Sequence, residues 1–128
     1  MAFSVTILGN SSAKPTPKAH PSAQVVNLNE QYYLVDAGEG VQQQLIRRGI
    51  NPLRLRAVFI SHLHGDHCFG LIGLISTFAL LGRTAPLHIY ADHNLEAVMK
   101  PQIEFFCNGM KYPLFFHSID ATKHQIIY

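Results

Sequence analysis

Ile60-Ser61-His62-Leu63-His64-Gly65-Asp66-His67-Cys68-Phe69-Gly70 is the stretch on which the fold turns. Three imidazoles and one carboxylate fall within the six positions from His62 to His67. An apolar run, Ala57-Val58-Phe59-Ile60, precedes them and reads as a buried strand; a long apolar segment follows and reads as a helix. His62 and His64 are two apart, so in extended chain their rings leave on the same side. Asp66 and His67 then lie where the loop becomes the helix. Imidazole nitrogen and carboxylate oxygen are the donors expected around Zn2+, and Mn2+ or Fe2+ also suits them. A polar loop without a task does not gather four such groups. The stretch predicts a metal centre with His62, His64, Asp66 and His67 as ligands.

The spacing H-x-H-x-D-H at a strand end resembles the metallo-β-lactamase superfamily. The longer run from Phe59 to Leu74, FISHLHGDHCFGLIGL, is similar to the ribonuclease Z branch, the tRNA 3'-processing endonucleases, which read HLHGDHxxGLPGL; Ile72 stands where proline is usual. The resemblance implies that His62 and His64 serve one metal, and Asp66 and His67 a second. It also implies that Asp66 accepts the proton of the attacking water. The implied reaction is hydrolysis of precursor tRNA that removes the 3' trailer. The implied fold is a four-layered αββα sandwich of two similar halves, of which residues 1–128 match the first. The third metal-bound His, the bridging Asp, the last His and the arm that grips tRNA are then expected outside this sequence. Either the chain is truncated or its remainder lies on another polypeptide, and alone it should have weak metal sites and negligible nuclease activity. Two alternatives stay open: another hydrolase of the superfamily (an arylsulfatase, cyclic-nucleotide phosphodiesterase or lactonase), or a non-catalytic chain that dimerises through the face its missing half would cover.

Composition agrees with one compact, partial domain over residues 1–128. Hydrophobic residues make up 48% and charged residues 14%, which excludes a disordered solvating chain and suggests apolar surface meant to be covered. The net charge is +2, and no Lys or Arg run marks a nucleic-acid footprint. Cys68 and Cys107 lack C-x-x-C spacing and read as reduced thiols of a cytoplasmic protein. No signal peptide or membrane span is expected.

Along the chain, Phe3–Leu8 alternates as a strand, and the proline-rich segment Ala13–Ser22 must be a loop. The resemblance places a P-T-x-x-R-N-like loop here, but Ala19 and His20 stand where Arg and Asn are common, so no tRNA contact carries over. Ala23–Leu28 and Gln31–Asp36 flank the turn Asn29-Glu30 as a hairpin. Asp36-Ala37-Gly38-Glu39 resembles the family's D-C-G-E, and Asp36 is expected to accept hydrogen bonds from the histidine loop rather than to ligate. A helix over Glu39–Arg48 should bury Val41, Leu45 and Ile46 and end at Gly49. After the motif, Phe69, Ile72, Ile75, Phe78 and Ala79 predict the inward face of a helix closed by Gly82. Pro86–Ala91 reads as a strand in which His88 is packed or at an edge. Asp92 should cap a helix that begins near Asn94 and bends or restarts at Pro101. Phe105-Phe106-Cys107 and Leu114-Phe115-Phe116 read as core or interface. His117 and His124 are not expected to be ligands. Strands alternating with helices predict a layered α/β fold.

Overall fold

The computed structural model describes residues 3–10, 20–120, 122–123 and 125–126. Most of the proline-rich loop and His124 lie outside the described residues. The strands are β1 (Phe3–Gly9), β2 (Ala23–Leu28), β3 (Gln31–Val35), β4 (Leu55–Phe59), β5 (Leu87–Ala91) and β6 (Leu114–Ser118). The helices are α1 (Val41–Arg47), α2 (Gly65–Cys68), α3 (Leu71–Leu80) and α4 (Asn94–Phe106), with a short 3-10 turn at Pro52–Arg54.

One six-stranded sheet runs in the order β1-β2-β3-β4-β5-β6. The first two pairings are antiparallel, and those from β3 to β6 are parallel. Each parallel step needs a crossover, and right-handed crossovers stepping one way place every connecting helix on the same face. The side chains divide accordingly. Leu34, Val58, Leu87 and Ile89 point to the helices and are fully buried, against Val41 and Leu45 of α1 and Leu71, Leu74, Ile75 and Phe78 of α3. Burying each side chain of this size stabilises the fold by roughly 1.5–3 kcal/mol. Among the described residues the opposite face carries no helix. On it stand Val5 and Ile7, each 49% exposed, with Tyr33, Val35, Phe59, Tyr90 and Phe115. A hollow of about 550 Å³ lies on this bare face, away from the histidine loop.

Several local expectations need correction. Ile46 is 66% exposed; Gln44 takes the inward position on α1 and bonds His20 at 2.9 Å. Phe69 is 69% exposed, because the helix breaks at Phe69-Gly70 and restarts as α3, so Leu71 and Leu74 fill the inward face. Helix α4 runs unbroken through Pro101. Its lost hydrogen bond would have gone to Ala97, which is exposed, so water can satisfy that carbonyl. Asp92 does accept from the Asn94 amide at 2.9 Å, from one residue outside His93, which flanks the helix. The aromatic region divides as core and open surface: Cys107 enters the core beside Tyr112, Leu114 and Phe116 pack against it, and Phe105 and Phe106 are 79% and 64% exposed. Strand β5 is interior, so His88 sits mid-sheet on the bare face.

Arg83, only 6% exposed, was not singled out from sequence. Its guanidinium donates to the carbonyls of Leu53, Leu55, Ala85 and Pro86 and lies 4.9 Å from the Phe78 ring centre. It thereby joins the starts of β4 and β5.

Candidate metal centre

Strand β4 delivers the motif. Ile60 extends the pairing by donating to the Tyr90 carbonyl at 2.9 Å, after which the chain leaves the sheet. The segment Asp36-Ala37-Gly38 holds both ends of the departing loop. The Asp36 amide donates to Phe59 at 2.7 Å, the Ala37 amide to His67 at 2.8 Å, and the Gly70 amide to Ala37 at 2.8 Å. Gly70 must lack a Cβ, which would collide with the Gly38 carbonyl. His62, Leu63 and His64 face solvent, and Asp66 and His67 follow in the single turn of α2.

Asp36 is the hub. It is 5% exposed and left-handed at φ 62, a conformation that Asp tolerates better than most residues. Its Oδ1 accepts from the Ser61 amide at 2.8 Å, and its Oδ2 from the Ser22 hydroxyl at 3.1 Å and from His67 Nδ1 at 2.8 Å. The Ser61 hydroxyl lies 2.9 Å from both carboxylate oxygens. Burial alone would raise its pKa, but the bonds from Ser61 and His67 outweigh it and hold the carboxyl below its ordinary value.

That ionised carboxylate dictates where the protons go. It can only accept, so His67 Nδ1 carries a hydrogen, and in the neutral ring Nε2 then keeps its lone pair. The Ser61 hydroxyl spends its one proton on Asp36 and so accepts from His62 Nδ1 at 3.0 Å, which in the neutral ring leaves His62 Nε2 free as well. His67 Nε2 faces Asp66 Oδ2 at 3.5 Å. When Nε2 is unprotonated, the two atoms direct one lone pair each toward a shared point. The separation matches the edge of a tetrahedron, about 3.4 Å, around an ion with ligands at about 2.1 Å. The donor set therefore fits a cation there. The rings of His62, His64 and His67 lie 5.1–6.4 Å apart, centre to centre. Among the described residues no group of three or more His, Cys, Asp or Glu closes on a single ion, so the four side chains offer pairs of donors and not a closed cage.

Cys68 bonds the His64 carbonyl at 3.4 Å, and burial, then the charges of Asp36 and Asp66, push its thiol upward; it stays protonated and outside the donor set. His117 stands apart on the bare face, 2.8 Å from His88. Burial, then His117 and Arg56, hold His88 below the ordinary imidazole value, and the pair packs among Tyr90 and Phe115. Ser61 and Ser22 were missed from sequence. For Ser61 the available signal was its place directly before the first histidine.

The protein family described as "Anti-Pycsar protein Apyc1" matches residues 3–110. The ribonuclease Z of Phocaeicola vulgatus is 52% identical over 126 residues, which are 98% of this chain and 41% of that protein. The crystal structure of the short form of human tRNase Z superposes with a TM-score of 0.83 at 35% identity, over 89% of this chain and 44% of that one. The chain belongs to the Apyc1-described family, and along almost its whole length it is similar to ribonuclease Z proteins. The long-form RNase Z from yeast, at 16% identity and a TM-score of 0.72, agrees in fold. The chain thus has the mixed α/β architecture expected from its sequence, and it spans about two-fifths of the length of the curated relatives it matches. Metal ions are implied by that membership. No helix among the described residues is long and apolar enough to cross a membrane.

Proposed function

We propose that residues 1–128 form the N-terminal part of a metal-dependent endoribonuclease that removes the 3' trailer of precursor tRNA, acting in the cytoplasm. The observation that carries this reading is the line Asp36–His67–Asp66, in which a buried carboxylate fixes one imidazole so that its other nitrogen meets a second carboxylate at 3.5 Å. Identity near one half to ribonuclease Z proteins along almost the whole chain supports the RNA substrate.

In this reading His62 and His64 hold one Zn2+, and Asp66 and His67 hold a second. When bound, the ions supply positive charge to phosphoryl oxygens and lower the pKa of coordinated water to about 7. The chain's own residues do the rest. Asp36 keeps His67 in the tautomer that ligates, and its depressed pKa preserves that role well into mild acid. Ser61 orients His62 in the same way. Asp66, partly exposed at the start of α2, accepts a proton from the attacking water in this reading. Neutral imidazoles must be free to ligate, so cation binding weakens on acidification.

The complete cage needs ligands from a second half, which also covers the bare apolar face of the sheet. Without it each ion has two ligands, and the isolated chain pairs with a second copy through that face into a homodimer. Calorimetric titration with zinc separates the cases. We expect weak binding to residues 1–128 and two tight sites on the full-length protein, together with cleavage of precursor tRNA by the latter alone. Two tight sites on residues 1–128 would overturn the partial-cage reading. A full-length protein that hydrolyses only a small phosphodiester would overturn the tRNA reading.

A further inference from the structure

We infer that Phe69 is a substrate-binding residue whose ring stacks on a nucleobase of the RNA beside the bond to be cut. The inference rests on the RNA-cleaving reading and deepens it. Helical spacing would send Phe69 into the core, yet it is 69% exposed, because the chain breaks at Phe69-Gly70 while Gly70 is tied to Ala37. The ring is not loose. Its far end lies against Gly65, where an added Cβ would run into the ring's Cζ and Cε atoms. Gly65 has ordinary φ, so it is required there for space and not for backbone freedom.

The ring forms one wall of a hollow of about 420 Å³ completed by Pro21, Glu39, His64, Gly65 and Asp66. That volume falls within the range of about 300–1,000 Å³ usual for ligand pockets. His64 and Asp66 are also proposed metal ligands, so a phosphodiester at the metals puts an adjoining nucleotide within reach of the hollow. The exposed Glu39 carboxylate repels phosphate but can accept from the N–H groups of a base. The hollow is therefore chemically suited to the base end of a nucleotide and ill suited to its backbone. Stacking on an aromatic face is tolerant of base identity, which suits a site that must accept many tRNAs.

The test uses the full-length, metal-loaded protein with an intact precursor tRNA and with two precursors carrying a single abasic ribose, one on each side of the cleaved bond. Phe69→Ala is expected to raise KM for the intact precursor about tenfold, at the lower end of what base–aromatic stacking supplies, with little change in kcat. Phe69→Leu, which keeps apolar bulk without a π face, should behave like Phe69→Ala, and Phe69→Trp should restore the wild-type KM. On one of the abasic precursors the wild type should already show the raised KM, with Phe69→Ala adding nothing. An unchanged KM, or an equal penalty on intact and both abasic substrates as packing alone would give, overturns the inference. A wild type that cuts no precursor tRNA overturns the RNA reading and this inference together, whereas a wild type that cuts it with a KM insensitive to Phe69→Leu overturns the inference alone.

Discussion

Asp36 combines three unfavourable features: a left-handed backbone, a buried side chain and an ionised carboxylate. It persists because Ser22, Ser61 and His67 all donate to it. Removing it as Asp36→Ala leaves those donors unpaired and should cost about 1–3 kcal/mol, read by urea unfolding. In the full-length protein the same change should weaken metal binding by roughly 10–100-fold, because His67 loses the group that sets its tautomer. The pH dependence has a definite sign. The folded pKa lies below the unfolded one, so the stabilisation is whole above about pH 4 and disappears as pH falls through the lower folded value. Wild type and Asp36→Asn should thus differ most at neutral pH and converge in acid; a gap independent of pH would contradict the assignment. That His62, His64, Asp66 and His67 gather at one turn, with Asp36 accepting from it, was legible in the sequence from residue type and spacing. Ser61 was not, since one hydroxyl beside a histidine has no pattern of its own, and its role follows only from Asp36 arriving across a parallel strand pair.

At the level of elements, the hairpin joining β2 and β3 turns through Asn29 and Glu30 at φ 54 and φ 65, the left-handed pair of a two-residue turn. Glycine suits the second position far better than Glu. The ion pair of Glu30 with Arg54 is exposed and stretched to 3.9 Å, so little is lost with it. Glu30→Gly should stabilise the chain by about 1 kcal/mol, seen as a raised Tm. Gly70→Ala should do the reverse, destabilising by about 1–3 kcal/mol, because a methyl there must push the Gly38 carbonyl away from the motif. Calorimetric melting of both variants checks the pair. Strands and hairpin could be read from alternation and turn residues. The position of the break between α2 and α3 could not, because Phe69 and Leu71 are equally apolar, and what decides which one turns inward is the tie from Gly70 to Ala37, a contact distant in sequence.

For the whole molecule, the sheet has one face built into a core and one left bare, an asymmetry that follows from crossovers of one hand. The low charge content hinted at such a surface, and the resemblance named what would cover it. The sequence pattern could not show which side chains line it, since Tyr90, His117 and Phe115 meet only through strand register. Residues 1–128 alone should sediment and scatter as a dimer and bind a hydrophobic dye, whereas Val5→Lys with Ile7→Lys should shift the chain to monomer; a wild-type monomer in dilute buffer would contradict the covered-face account. In the proposed function the four side chains at the turn between β4 and α3 hold the cations that cut RNA. The most direct test replaces His62 and His64 together by Ala in the full-length protein and measures both bound metal and precursor-tRNA cleavage. With the fold intact by circular dichroism, metal content should drop and cleavage should fall to that of a protein-free control. Cleavage continuing undiminished would contradict it.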